Sequence, residues 1–120
     1  MDFERFYTDI MNLDPNVRFA VILNRSGERV CGGYRENLKH FLTPDELSMV
    51  IFHACQRWEG RKHLAHKIGN AKYSMTEYEK VKRMSFPIDE NHMVLVSVEP
   101  STDHTKIINS VLNLIKIAKS

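Results

Sequence analysis

Residues 92–99 read His-Met-Val-Leu-Val-Ser-Val-Glu, a run dominated by β-branched and apolar side chains. Such residues favour the pleated, packed surface of a sheet. This is the strongest strand in the chain, and it is expected to be central. Asp89-Glu90-Asn91 before it is a turn, and residues 79–87 form the strand that enters that turn. There Lys80, Lys82, Met84 and Phe86 fall on one side and Val81, Arg83 and Ser85 on the other, the alternation of a strand. Residues 71–76 precede it as a short strand in which Tyr73 and Met75 alternate with polar neighbours. On the other side, Pro100-Ser101-Thr102 ends the central strand. Residues 103–119 then form a helix with Ile107, Ile108, Val111, Leu112 and Ile115 on one broad face.

The N-terminal half reads as clearly. Phe3, Phe6, Tyr7, Ile10 and Met11 recur at three- and four-residue spacing, one face of an amphipathic helix. Asp14-Pro15-Asn16 stops it, because proline has no N–H to continue the ladder. Residues 17–24, VRFAVILN, are a strand; Asn24-Arg25-Ser26-Gly27 is a turn; residues 28–34 return as its hairpin partner. Gly32-Gly33 on that returning strand signals a bulge or a close backbone approach. A polar link, 35–42, leads to Thr43-Pro44-Asp45-Glu46. Thr43 caps, Pro44 fits the first helical position and Glu46 completes the capping box. The helix is expected to reach Arg57 or Glu59 and to weaken at Gly60. Residues 61–68 are helix-compatible, and Gly69-Asn70 breaks the pattern. The order is αββαβββα, and its hairpins predict an antiparallel sheet with helices over its faces.

At 120 residues the chain is one domain, 1–120, without repeats or linkers. With 42% hydrophobic and 27% charged residues it is neither a disordered tail, nor collagen-like, nor a polytopic membrane protein. The N-terminus lacks the basic and apolar regions of a signal peptide, and two cysteines, Cys31 and Cys55, without a CxxC fit a reducing compartment. A cytoplasmic location is expected, with no membrane partner. Net charge is +2, but residues 57–83 hold eight Lys/Arg against three Asp/Glu. That block is an anionic-partner footprint or a solvated helix end and hairpin.

The search for chemistry returns little. His63 and His66 are spaced i, i+3 with His53 upstream, but no HExxH, CxxC or facial triad accompanies them, so no metal is expected. There is no GxSxG, no P-loop and no GxGxxG, so neither an enzyme nor a cofactor is expected. Tyr73 and Tyr78 among Lys72, Lys80, Lys82 and Arg83 hint at nucleic acid, against which the near-neutral total charge argues.

The helix from Thr43 carries the clearest functional signal. At about 100° per residue from Leu47, the residues Val50, Ile51, Ala54, Cys55 and Trp58 form one stripe, the core face. Met49 falls at about 200° and Phe52 at about 140°, beside Gln56 at about 180°. A helix on a sheet has no internal use for that side, and apolar groups there mark a partner surface. The predicted partner-binding set is Met49, Phe52 and Gln56 with a basic rim of Arg57, Arg61 and Lys62.

The element order, with Val17-Arg18-Phe19-Ala20, Asn24 and Gly27, Gly32-Gly33-Tyr34-Arg35-Glu36, Lys72-Tyr73-Ser74-Met75, Lys80-Val81 and Met84-Ser85-Phe86-Pro87, resembles known proteins. The order resembles the roadblock/longin-like, profilin-like domains. The words resemble a family of short archaeal proteins best known from ammonia-oxidising archaea. The resemblance spans nearly the whole chain. It implies an α+β fold with a five-stranded antiparallel sheet of order 2-1-5-4-3, the first and last helices on one face and the helix from Thr43 on the other. It implies no catalytic residue. Roadblock-like domains typically dimerise, many through the middle helix and a sheet edge, and many are scaffolds or regulators of small GTPases. The expected function is thus a non-catalytic adaptor or regulatory module, a homodimer or a heterodimer with a paralogue, with a small GTPase as a partner. The alternative is a PAS-like small-molecule sensor, with Gly32, Gly33, Tyr34 and Arg35 edging a pocket between sheet and helix.

Overall fold

The computed structural model describes residues 1–119. Its elements are α1 (Phe3–Met11), β1 (Val17–Asn24), β2 (Arg29–Tyr34), α2 (Pro44–Lys62), α3 (Ala65–Ile68), β3 (Ser74–Glu77), β4 (Lys82–Asp89), β5 (His92–Val98) and α4 (His104–Lys119). The five strands form one sheet of order β2-β1-β5-β4-β3, every neighbouring pair antiparallel. The expected topology is the observed one, and β5 is central.

The sheet separates two cores. On one face α1 and α4 pack through Phe6, Ile10, Ile107, Val111 and Ile115 onto Ala20, Ile22, Phe86, Val94 and Val96. On the other, α2 packs through Ala54 and Trp58 onto Phe19, Val21, Leu23, Met93 and Leu95. The second core is thinner. Of the nineteen residues of α2, only Ala54 and Trp58 are buried.

Strand alternation puts Lys82 on the α1/α4 side with Met84, Phe86 and Ile88, and there it is buried. A buried ammonium must be hydrogen-bonded. Lys82 Nζ donates to the Thr102 carbonyl at 2.8 Å and lies 3.0 Å from His104 Nδ1, tying β4 to the start of α4.

Three local expectations change. The helix from Thr43 continues through Gly60 to Lys62. A mid-helix glycine costs about 1 kcal/mol, but buried Trp58 anchors the last turns, and Lys62 Nζ sits 3.7 Å above its ring. The helix-compatible stretch beyond it closes as the separate short α3, which Gly69 ends at φ +87°. The β1–β2 register shifts between Ile22 and Leu23, placing the bulge near Val30 rather than at the glycine pair.

Candidate interaction surface

The capping box that starts α2 is fully formed. Glu46 N–H donates to Thr43 Oγ1 at 3.2 Å, and Thr43 N–H donates to Glu46 Oε1 at 2.8 Å. So held, α2 lies across the sheet with three distinct flanks. Its inner stripe meets β1 and β5. Its outer side carries Met49 and Phe52, each 54% exposed, and exposed Gln56. His53 meets the Phe52 ring edge-on at 5.5 Å.

The basic residues expected to rim that outer side are placed differently from one another. Lys62 is engaged within the fold: besides the Trp58 ring it reaches Glu59 at 3.3 Å and the Glu90 carbonyl at 3.1 Å. Arg57 and Arg61 fall at about 280° and 320° on the same angular count, turned towards β3 and β4. There they line a cleft of 250 Å³ with Arg83.

The glycine pair and its neighbours divide as well. Gly32 sits at φ +113°, and a Cβ on it would meet the Ala20 carbonyl oxygen at 2.2 Å, so it is a close backbone approach. Gly33 faces open space and, with Tyr34, lines a 400 Å³ cleft bounded by Phe19, Leu47 and Ile51. Tyr34 stacks on His40 at 3.7 Å between ring centres. Arg35 lines the same cleft, while its guanidinium donates to the carbonyls of Val17, Met11 and Asp14 at 2.8, 2.6 and 3.2 Å, fastening the α1–β1 turn. Arg18 does the same for the 35–42 link, bonding the Lys39 carbonyl at 2.8 Å and Glu99 at 2.6 Å under the Phe41 ring. Sequence reasoning missed this role of Arg18. A guanidinium in an otherwise apolar strand was the available signal.

Among the described residues no group of three or more His, Cys, Asp or Glu side chains is placed to hold a metal ion. His63 and His66 are exposed on separate helices or their ends. Desolvation raises the Cys31 thiol, with Glu4 and Asp2 adding to the effect; desolvation and Glu59 raise that of Cys55. Neither has the lowered pKa of an activated nucleophile. No helix among the described residues is long and apolar enough to cross a membrane.

The fold is that of solved roadblock domains. A roadblock/LC7 domain from Streptomyces avermitilis superposes with a TM-score of 0.72 at 16% identity, over 99% of this chain and 96% of that one. The gliding protein MglB from Thermus thermophilus gives 0.68 at 10% identity, over 95% and 88%. MglC from Myxococcus xanthus gives 0.66 at 9% identity, over 99% and 98%. At these identities the likeness is one of fold. The sequence matches no curated protein. Residues 2–119 match the model of DUF6659, described as a family of unknown function, and the chain belongs to that family.

Proposed function

We propose that this protein is a non-catalytic interaction module of the cytoplasm, an adaptor or regulator that pairs with a second copy of itself or with a paralogue. The observation that carries the reading is the second apolar side of α2. Met49 and Phe52 stand more than half exposed on a helix whose inner stripe is already used. The fold supports it, since many roadblock-like domains pair through the middle helix and a sheet edge, and here α2 exposes Met49 and Phe52 and β3 ends the sheet. The same resemblance nominates a small GTPase as the regulated partner.

The test is the mass in solution of the wild type and of a Met49→Asp/Phe52→Asp double variant, with circular dichroism to confirm that both fold. The wild type is expected as a dimer and the variant as a monomer. A folded variant whose mass is unchanged removes this face from pairing. If partnering is with a paralogue, the mass shift appears only on mixing the two chains.

The 400 Å³ cleft beside Gly33 and Tyr34 favours a second reading, the small-molecule sensor. Ligand that binds only the folded state raises the melting temperature. A metabolite screen that raises Tm in the wild type but not in a Gly33→Leu variant would favour it over the adaptor.

A further inference from the structure

The α2-facing side of the sheet is chemically split. Register aligns Leu95 with Ser85 and Ser97 with Arg83, and then Ser85 with Ser74 and Arg83 with Thr76. The β1–β5 half is apolar and lies under Ala54 and Trp58. The β4–β3 half is hydroxyls and a guanidinium: Ser74, Thr76, Arg83 and Ser85. A helix over a sheet ordinarily covers an apolar strip across its width, yet α2 overhangs this polar half with two more arginines.

The outcome is a cleft of 250 Å³ lined by Arg57, Arg61 and Arg83 and by no Asp or Glu. Among the described residues none of the three arginines has an ion-pair partner, whereas Arg18, Arg25 and Lys62 all do. Arg83 is held in place from its own strand side, donating to Tyr78 Oη at 2.8 Å with its guanidinium 5.1 Å from that ring. Ser74 and Ser85 hydroxyls are 2.6 Å apart, leaving spare donor or acceptor capacity at the floor. Three like charges facing one cleft without a carboxylate repel one another, and an anion between them reverses the sign of that interaction. Guanidinium forks match the oxygens of phosphate in pairs. Ala54 and Leu95 add apolar surface to the lining, and Tyr78 adds a ring.

We infer that this cleft binds a small phosphate monoester, its phosphate on Arg57, Arg61 and Arg83 and its organic part against Leu95 and the Tyr78 ring. The volume suits it, being several times the ~30 Å³ share of a water molecule, room for one phosphate and a ring-sized body but not for a polymer. This gives a role to Arg57, Arg61 and Arg83, three of the eight basic residues at 57–83. It does not depend on pairing, because Met49, Phe52 and Gln56 lie on a different side of the helix.

The test is a titration of phenyl phosphate followed by amide resonances, run on the wild type and on the Met49→Asp/Phe52→Asp variant so that loss of pairing and loss of binding are read separately. Saturable shifts are expected at Arg57, Arg61, Ser74, Thr76 and Arg83 in both proteins. Arg57→Gln, an exposed helix position where folding is not at stake, should weaken binding about tenfold, the loss of one charge-assisted contact. Arg83→Gln should do the same, and Lys72→Gln/Lys80→Gln, outside the cleft, should not. Phenol should give no shifts, and inorganic phosphate should shift the same residues more weakly. Absence of saturation, or equal weakening by the lysine variant, overturns the proposal. Tighter binding of a single-stranded oligonucleotide with shifts spread to Lys72 and Lys80 overturns it in favour of nucleic acid. Equal binding of a poly-glutamate peptide overturns it in favour of an acidic protein segment.

Discussion

Gly32 and Gly33 are adjacent and chemically identical, and the fold uses them in opposite ways. Gly32 is held at a positive φ with the Ala20 carbonyl where its side chain would be, while Gly33 has no neighbour within 4 Å of that position. Gly32→Ala combines a strained backbone with a steric overlap, each costing about 1–3 kcal/mol. It should lower unfolding free energy by about 2–4 kcal/mol in urea melts. Gly33→Ala should stay within about 0.5 kcal/mol of wild type. Equal effects would mean that the two positions share one role. From the sequence the pair was legible as special, but not which glycine was special or why, because the constraint comes from β1 across the ladder. The same holds for Lys82. Alternation put it on the core side, but the groups that accept from its ammonium, at Thr102 and His104, arrive from twenty residues further on.

At the scale of elements, α2 is the most lightly buried of α1, α2 and α4 and the one on which function is proposed. It buries two residues, against four in α4 and three in the nine-residue α1. Its ends therefore matter more than usual. Removing an N-cap costs typically about 1 kcal/mol. Thr43→Ala should lower Tm by a few degrees, and Glu46→Ala should do so by less, since Thr43 Oγ1 still accepts from the residue 46 N–H. Hydrogen exchange should show the first turns of α2 opening well before α4, and the Thr43→Ala variant should widen that gap. Uniform protection across both helices would contradict it. The start of α2 was readable because a capping box is a local device of four residues. Its far end was not, because the helix passes Gly60 on the strength of Trp58 and Lys62 contacts with the sheet and the β4–β5 turn. The candidate face divides along the same line. Angular counting found Met49 and Phe52, since helical period is local. That Arg57 and Arg61 turn towards Arg83 depends on where β3 and β4 lie, which no helical wheel contains.

At the scale of the whole molecule, the accessible surface of 7559 Å² has room for a standard interface, which buries roughly 800 Å² on each partner. Pairing about a two-fold axis brings one surface patch against itself, so Met49 and Phe52 of two copies would meet across the axis while Arg61, about 180° round α2 from Phe52, points away from it. Apolar contact then favours the dimer, and the net charge of +2 on each copy opposes it weakly. Salt screens exposed charges over about 10 Å at 0.1 M, so raising ionic strength should tighten the dimer, the reverse of a complex held by ion pairs. Light-scattering mass across a concentration series at low and high salt reads this directly. The expected limit is about 28 kDa, twice the 14.0 kDa chain, reached at lower protein concentration in high salt. Phosphate should act only through its ionic strength, because Arg57, Arg61 and Arg83 line a cleft on another side of α2 from Met49 and Phe52. At matched ionic strength phenyl phosphate and chloride should therefore give the same mass curve. If phenyl phosphate shifts the mass more than chloride does, the arginine cleft and the pairing face are coupled. If the mass stays near 14.0 kDa under every condition, α2 presents its outer side to a different chain.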